Sequence, residues 1–210
     1  MAITKDAIVD AALARAEQTS WEAVRLHDIA NALGCALNDV RAHCREKEDI
    51  VDAWFDRADA AMLEDAAGVD FRGLPTRARL ERVIMTWLDA LAPHRRVTRQ
   101  MILNKLEPGH LHYQIGGLLR VSRTVQWLRE AAGQDATLPW RAFEEAALTA
   151  IYLLTFSYWM RDDSQDSVRT RDFLARLLER AERLAHALPG FARRPATRAP
   201  GPTGPSEINL

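Results

Sequence analysis

Residues 24–47 read VRLHDIANALGCALNDVRAHCREK, and their pattern predicts two short helices with a tight turn between them. Apolar residues three and four positions apart predict the first helix over Leu26–Leu33, and Gly34, which tolerates a left-handed backbone, ends it. The second helix is predicted over Leu37–Cys44. Two short helices joined by a Gly-containing turn have the geometry of a helix-turn-helix, whose second helix can enter the major groove of DNA.

The helical pattern continues on both sides of this unit. Upstream, apolar residues from Ile3 onward predict a helix that is capped by Thr4 and ends near Gln18. Downstream, a longer helix is predicted to begin near Lys47, and Gly68–Pro75 then breaks the helical pattern. Because strand-like alternation is not sustained anywhere, we predict an all-α fold. The remaining predicted helices are Arg77–Leu91, Arg95–Leu106, Ile115–Ala132, Trp140–Met160 and Val168–Leu188.

The predicted helices divide the chain into three parts. Residues 1–46 form a three-helix head that contains the helix-turn-helix, and residues 47–188 form a helical body. Residues 189–210 hold five of the nine Pro and three of the ten Gly, and this composition predicts a disordered tail.

The composition is typical of a globular protein that folds around a core. The chain has 210 residues, of which 48% are hydrophobic and 27% are charged. Its longest apolar run, Ala146–Met160, is too short to cross a bilayer, and the first ten residues do not read as a secretory signal. Two cysteines cannot make a disulfide framework, so we expect a reduced, cytoplasmic protein.

Charge is segregated along the chain although the formal net charge is only −1. Residues 1–60 hold 7 basic and 12 acidic residues, a net charge of −5. Residues 71–130 hold 11 basic and 4 acidic residues, a net charge of +7, and ten of those basic residues are arginines. Such an asymmetry is usually informative about binding partners.

The head resembles the TetR family of one-component transcriptional regulators. The matching features lie between residues 8 and 55, and they are Ile8, Ala11, Ala12, Trp21, the run Val24–Gly34, Val40, His43, Lys47, Glu48, Ile50 and Val51. The resemblance implies a repressor that binds double-stranded operator DNA as a homodimer and is controlled by a small apolar ligand. In that arrangement the long helix after the head transmits the ligand's effect.

The resemblance also implies which head residues contact DNA. They are Arg25, Leu37, Asn38, Arg41, His43 and Lys47. Chemically, Asn38 suits adenine and Arg41 suits guanine or a phosphate, while Lys47 suits a phosphate oxygen. Three residues depart from the family pattern: Ala36 replaces a capping Ser, Arg41 replaces a usual Tyr and Cys44 replaces a usual Phe. In addition, Asp39 places negative charge on the reading helix.

In the body, the resemblance implies dimerisation through residues 140–160 and 168–188. A helix that is apolar nearly all round, as at Ala147–Met160, needs cover on several sides, and a second copy of the chain would supply it. Aromatic residues together with a few polar ones predict a ligand cavity. Its candidate residues are Trp87, Tyr113, Arg123, Gln126, Trp127, Tyr152 and Phe156. Plain core packing is the alternative interpretation of the aromatic residues.

The body has a second resemblance, to the TetR-like accessory proteins of ubiquinone biosynthesis. It lies in residues 118–135, 147–152 and 159–164, where the last segment reads WMRDDS. It implies an alternative function, in which the protein binds a lipid or isoprenoid and its DNA-binding head is vestigial. The basic segment 71–130 would then favour an anionic membrane surface.

Signals of catalysis and of metal binding are weak. We find no Gly-rich phosphate loop, nucleophile elbow or paired carboxylates, so we expect neither an enzyme nor a cofactor. His110 and His112 have only Glu107 as a nearby third ligand, and Cys35 and Cys44 lack a second pair. We therefore predict no metal site.

Overall fold

The computed structural model describes residues 3–105, 111–133 and 140–187, and in these ranges the chain is α-helical without strands. The helices in the described ranges are α1 (Lys5–Gln18), α2 (Leu26–Leu33), α3 (Leu37–His43), α4 (Lys47–Ala66), α5 (Val69–Arg72), α6 (Thr76–Leu91), α7 (Arg95–Lys105), α8 (Leu111–Ala132), α9 (Trp140–Trp159) and α10 (Val168–Ala187).

The all-α fold predicted from the sequence is confirmed, and most helix ends lie within one residue of the predictions. Helix α8 begins at Leu111, four residues earlier than predicted. The predicted break at Gly68–Pro75 contains a single helical turn, α5, because Phe71 packs into the core there and is only 3% exposed. The predicted tail, residues 189–210, lies outside the described residues.

Helices α1 to α3 form the head, and each has a local signal at one end. The hydroxyl of Thr4 accepts a hydrogen bond of 3.1 Å from the N–H of Ala7 at the start of α1. Gly34 ends α2 with a φ of 64°, a left-handed conformation that glycine adopts without strain. The buried interior of the head includes Ile8, Leu13, Trp21, Val24, Ile29 and Val40.

Helix α4 runs from the head into the body and packs against both. Its buried side chains include Ile50, which faces the head, and Trp54, Phe55 and Met62. It contacts α1 on the head side and α6 and α8 on the body side. A movement of α4 relative to the body would therefore also move the head.

Helix α6 is central to the body, where it packs against α4, α8, α9 and α10. Its inner face buries Val83, Ile84, Trp87, Leu88 and Leu91. Helix α6 ends in a short 3-10 turn, Ala92–His94, which leads directly into α7. Helices α9 and α10 pack against each other at the side of the body.

Candidate functional site

The outward face of α3 presents most of the side chains predicted to contact DNA. Asn38, Arg41 and His43 are exposed, and the apolar side chain of Leu37 is 51% exposed. Val40, on the opposite face of α3, is buried in the head. Helical spacing thus separates an anchoring face from a face that can reach base edges and phosphates.

Asp39 supplies one half of a capping box at the start of α3. Ala36 has no side-chain oxygen to cap the helix, but the carboxylate of Asp39 accepts a hydrogen bond of 3.0 Å from the Ala36 N–H. The same arrangement recurs at α4, where Asp49 accepts from the N–H groups of Arg45 and Glu46 at 2.6 and 3.2 Å. Asp39, the acidic residue on α3, therefore has a partner within its own helix start, the N–H of Ala36.

Lys47 and Arg25 both bind the loop between α1 and α2. The Lys47 ammonium donates to the carbonyl of Trp21 at 2.6 Å and lies 4.8 Å from the centre of the Trp21 ring. Burial lowers the pKa of Lys47, and the nearby Arg25 lowers it further. Arg25 donates to the carbonyl of Glu22 at 2.7 Å. These contacts hold the two cationic groups against the loop between α1 and α2, while their contact with DNA stays a prediction.

Helix α7 makes a second connection between the body and the head, independent of α4. The side-chain oxygen of Gln100 accepts a hydrogen bond of 2.7 Å from the Trp21 N–H. Glu17, in the last turn of α1, pairs with Arg96 at 2.8 Å and with His94 at 3.2 Å. Burial opposes ionisation of Glu17, but the hydrogen bonds from Arg96 and His94 outweigh it and lower its pKa. No sequence pattern had indicated this connection.

Three of the predicted ligand-binding residues meet in one aromatic cluster. The ring of Trp87 lies 5.3 Å from that of Tyr152 and 5.6 Å from that of Phe156, both edge to face, and 5.8 Å from the stacked ring of Phe55. Trp87, Tyr152 and Phe156 are 1%, 5% and 7% exposed. The rings therefore fill the centre of the body against one another, as the core-packing interpretation expects.

A buried polar network lies against this cluster and centres on Asp59 of α4. The Asp59 carboxylate accepts hydrogen bonds from Trp87 Nε1 at 2.7 Å, Arg120 Nη2 at 2.8 Å and Thr124 Oγ1 at 3.2 Å. Burial raises the pKa of Asp59, and the charge of Arg120 works against that rise. Burial also raises the pKa of Tyr152, whose hydroxyl is hydrogen-bonded to Thr124. Sequence reasoning missed both charges of this network.

The other predicted ligand-binding residues are not part of the cluster. Arg123, Gln126 and Trp127 lie on the exposed face of α8, and Trp127 is 43% exposed. Tyr113 belongs to the same helix, but its side chain is outside the described part of the structure. The face of α8 that points into the body carries Arg120 and Thr124 instead.

Helices α9 and α10 leave an apolar surface uncovered. Leu154 and Tyr158 on α9 are 52% and 37% exposed, and Leu184 on α10 is 68% exposed. Tyr158 stacks on Phe173 of α10 with ring centres 4.5 Å apart. A shallow groove beside Leu154 is lined by Ala142, Glu145, Ala146, Thr149, Ala150 and Leu153. This surface includes the residues for which the sequence predicted a second copy of the chain.

The connection between α9 and α10 is held by Asp162, which is 4% exposed. One carboxylate oxygen accepts from the N–H and hydroxyl of Ser164 at 2.9 and 2.6 Å, and the other from the N–H and hydroxyl of Thr170 at the same distances. Burial alone would raise the pKa of Asp162, but these hydrogen bonds lower it to about 2. Arg95 donates to the Asp162 carbonyl and to Ser167, which ties this turn to α7.

Many arginines of segment 71–130 are used inside the fold. Arg82 pairs with Asp65 at 2.6 Å, Arg96 with Glu17, and Arg120 with Asp56 and Asp59. In each case an acidic residue from the first third of the chain meets a basic residue from the body. Part of the charge segregation that we attributed to binding partners is therefore complementarity between helices.

Neither a metal cluster nor a membrane span is found in the described residues. No three His, Cys, Asp or Glu side chains in these ranges are arranged to hold a metal ion. None of the helices in these ranges has the length and apolarity needed to cross a membrane. Cys35 and Cys44 are free, and burial raises the pKa of the Cys44 thiol. His110 and the side chain of His112 lie outside the described part of the structure.

Comparisons with known proteins agree with this architecture. The crystal structure of a TetR transcriptional regulator from Nitrosomonas europaea ATCC 19718 is 54% identical, with 85% of this chain and 97% of that chain covered and a TM-score of 0.77. The crystal structure of a TetR transcriptional regulator from Rhodococcus sp. RHA1 is 17% identical and shares the fold, with coverages of 83% and 92% and a TM-score of 0.60.

Sequence comparisons add one partial match. The COQ9 family model matches residues 144–185, a segment that runs from α9 into α10 and includes the Asp162 turn. No curated protein matches the chain.

Proposed function

Because the chain belongs to the TetR family of transcriptional regulators, we propose that it is a repressor that binds operator DNA as a homodimer and is released by a small ligand. The observation that carries this proposal is the 54% identity to a transcriptional regulator over 97% of that protein's length. Because 85% of this chain is covered, the aligned residues include at least part of the head.

The exposed face of α3 supports a role in reading DNA. Asn38 can pair with the N6 and N7 edge of adenine, Arg41 with the O6 and N7 edge of guanine, and Leu37 with the methyl group of thymine. Phosphate contacts position such a helix but carry no sequence information. In this proposal Lys47 and Arg25, which bind the loop between α1 and α2, supply phosphate contacts.

The uncovered surface of α9 and α10 supports the homodimer. Two copies paired through residues 140–160 and 168–188 would bury Leu154, Tyr158 and Leu184, which are otherwise in water. A dimer also provides the two heads that a symmetric operator requires. The division into residues 1–46 and 47–188 belongs to this proposal, with α4 as the link.

The ligand acts, in this proposal, through the packing between α4 and the body. A ligand changes DNA affinity only if it binds more tightly to one spacing of the heads than to the other. The aromatic cluster of Trp87, Tyr152 and Phe156 lies where a ligand would disturb α4, because Phe55 of α4 stacks on Trp87.

A gel-retardation assay with fragments from upstream of the protein's own gene tests the repressor. Asn38→Ala combined with Arg41→Ala should weaken binding about tenfold or more, since a good bidentate base contact contributes roughly 1–3 kcal/mol. Arg15→Ala is the matched control, because it removes one positive charge from α1, away from the reading helix, and should change affinity little.

Two outcomes would contradict the repressor. One is that no upstream fragment is retarded at moderate salt. The other is that Arg15→Ala weakens binding as much as the α3 double variant, since the attraction would then be charge alone.

The match of the COQ9 family model to residues 144–185 favours a second candidate, a lipid- or isoprenoid-binding accessory protein whose head no longer binds DNA. Protein purified from its own host would then carry an isoprenoid or phospholipid visible by mass spectrometry and would float with anionic liposomes. An empty protein that ignores liposomes would argue against this candidate. The pairing of Arg82, Arg96 and Arg120 with acidic side chains leaves less free positive charge for a membrane than the sequence suggested.

A further inference from the structure

Arg120 of α8 bonds to a single element of the fold, one face of α4. Its Nη1 donates to the carbonyl of Asp52 at 3.2 Å and to the carboxylate of Asp56, and its Nη2 donates to Asp59 at 2.8 Å. Residues 52, 56 and 59 are separated by about one helical turn each, so they line one side of α4. One guanidinium thus forms hydrogen bonds along two turns of the helix that carries the head.

The other donors to Asp59 also come from the body. Trp87 lies on α6 and Thr124 on α8, and both direct their donors at one carboxylate oxygen, at 2.7 and 3.2 Å. The donors are therefore fixed in the body and the acceptor belongs to α4. In chemical terms, the body holds a site for a carboxylate, and the chain fills that site with its own Asp59.

The surroundings of this site are apolar, and its main donor, Arg120, has an N–H group that is still available for a hydrogen bond. The guanidinium carbon of Arg120 lies 5.8 Å from the centre of the Phe55 ring, and Trp87 and Tyr152 form the adjoining wall. Arg120 is 8% exposed, and its buried Nε–H meets no hydrogen-bond acceptor among the described residues. A second carboxylate could take Nε and Nη2 together, the two-point geometry that arginine favours.

Access to Arg120 is from the side of Asp56. The Asp56 side chain is 52% exposed, whereas those of Asp59 and Arg120 are each 9% exposed. An incoming anion could first replace Asp56, an exchange of one carboxylate for another that leaves the local charge balanced. Displacement of Asp59 would follow and would open the space between α4 and the aromatic wall.

The geometry points to an amphipathic monocarboxylic acid as the effector, which takes the place of Asp59 on Arg120, Trp87 and Thr124 and so releases α4 from the body. This inference rests on the proposed function only in treating α4 as the link to a DNA-binding head. An apolar tail would contact the rings beside Arg120, while the carboxylate would provide the differential affinity for the released position of α4.

Calorimetry on the full-length protein without DNA tests the site directly. The probes are the sodium salts of benzoate, phenylacetate, octanoate and decanoate, each compared with its primary amide at the same pH. At least one acid should bind, and its amide should bind at least about tenfold more weakly, because the amide carries no charge for the guanidinium.

Substitutions at the two ends of the ion pair should change affinity in opposite directions. Asp59→Asn removes the competing charge but keeps the shape, so acids should bind roughly tenfold more tightly. Asp59→Asn combined with Arg120→Met removes both charges, which avoids leaving a buried carboxylate unpaired, and should abolish binding. Arg99→Gln, an exposed arginine on α7, is the control and should leave binding unchanged.

Three results would overturn the inference: no acid binds, acids and amides bind equally, or acids bind Asp59→Asn no more tightly than the unchanged protein. Its failure can be told from failure of the proposed function. A protein that retards operator DNA but binds no acid keeps the repressor and loses this effector class. A protein that binds acids through Arg120 but retards no DNA keeps the carboxylate site and loses the repressor.

Discussion

Asp162 shows how much of the fold depends on single buried carboxylates. Its two oxygens accept four hydrogen bonds from Ser164 and Thr170, which lie two and eight residues later in the chain. The carboxylate both closes the turn after α9 and accepts from the N–H of Thr170 in the first turn of α10. The relative position of the two helices therefore depends on one ionised side chain.

We predict that Asp162→Asn lowers the free energy of unfolding by roughly 2 kcal/mol at neutral pH, because an amide cannot accept all four hydrogen bonds. The pKa of Asp162 is lowered from 3.8 to about 2. Its contribution is therefore complete above the unfolded-state pKa and is lost as the pH falls from about 4 toward 2. Urea denaturation at pH 6 and pH 3 measures both effects.

The stability difference between Asp162→Asn and the unchanged protein should thus shrink at the lower pH. Asp163→Asn is the matched control, because the neighbouring carboxylate is exposed and should change stability little at either pH. A constant difference across the pH range would contradict the ionised role of Asp162.

At the scale of whole helices, the sequence predicted the fold well for a physical reason. Apolar spacing and the stop at Gly34 are local properties, and they define α2 and α3 almost to the residue. Which face of a helix points into the core is a less local property, because it depends on the helices that pack against it. Trp127 was predicted to line a cavity because it is aromatic, yet it lies outside on α8, while the charged Arg120 lies inside.

The placement of Arg120 could not be predicted because its partners belong to another helix. A buried arginine is stable only where acceptors surround it, and Asp56 and Asp59 become its neighbours only after α4 and α8 have packed. The sequence thus grouped Trp87, Tyr152 and Phe156, which do lie together, and it missed the ion pair beside them. Whether the three rings bind a ligand stays a prediction.

At the same scale, we predict that Leu154→Glu disrupts the dimer by placing a charge in the uncovered surface of α9 and α10. Light scattering at micromolar concentration should give twice the chain mass of 23.7 kDa for the unchanged protein and the single mass for the variant. Leu103→Glu on α7, where the leucine is 58% exposed, is the control and should remain dimeric. A single chain mass for the unchanged protein would rule out the dimer under these conditions.

At the scale of the whole molecule, ion pairs between the acidic first third of the chain and the basic segment 71–130 join the head to α7 and α4 to α6. Glu17 of α1 meets Arg96 of α7, and Asp65 of α4 meets Arg82 of α6. Exposed ion pairs each contribute little to the free energy of folding, and their role here is mainly to fix the orientation of the helices that they join. The hydrogen bond from the Trp21 N–H to Gln100 adds a neutral contact between the head and α7.

We predict that Arg96→Ala combined with Gln100→Ala loosens the head without unfolding the body. Amides of α1 to α3 should exchange with deuterium about tenfold faster, because beside α4 the head then keeps only the pair of Glu17 with His94 among these polar contacts of the described residues. Amides of α6 should exchange as before. Arg99→Ala, on the same helix but exposed, is the control, and equal acceleration in head and body would contradict a separate connection through α7.

The hydrogen bond between Trp87 and Asp59 gives the molecule an intrinsic optical probe. The indole sits in the body and its acceptor sits on the helix leading to the head, at a separation of 2.7 Å. Indole emission is sensitive to a nearby carboxylate, so any event that parts α4 from the body would change the colour and intensity of this ring's fluorescence. Trp87, one of the six tryptophans of the chain, would thereby report such a separation in real time, with no dye attached.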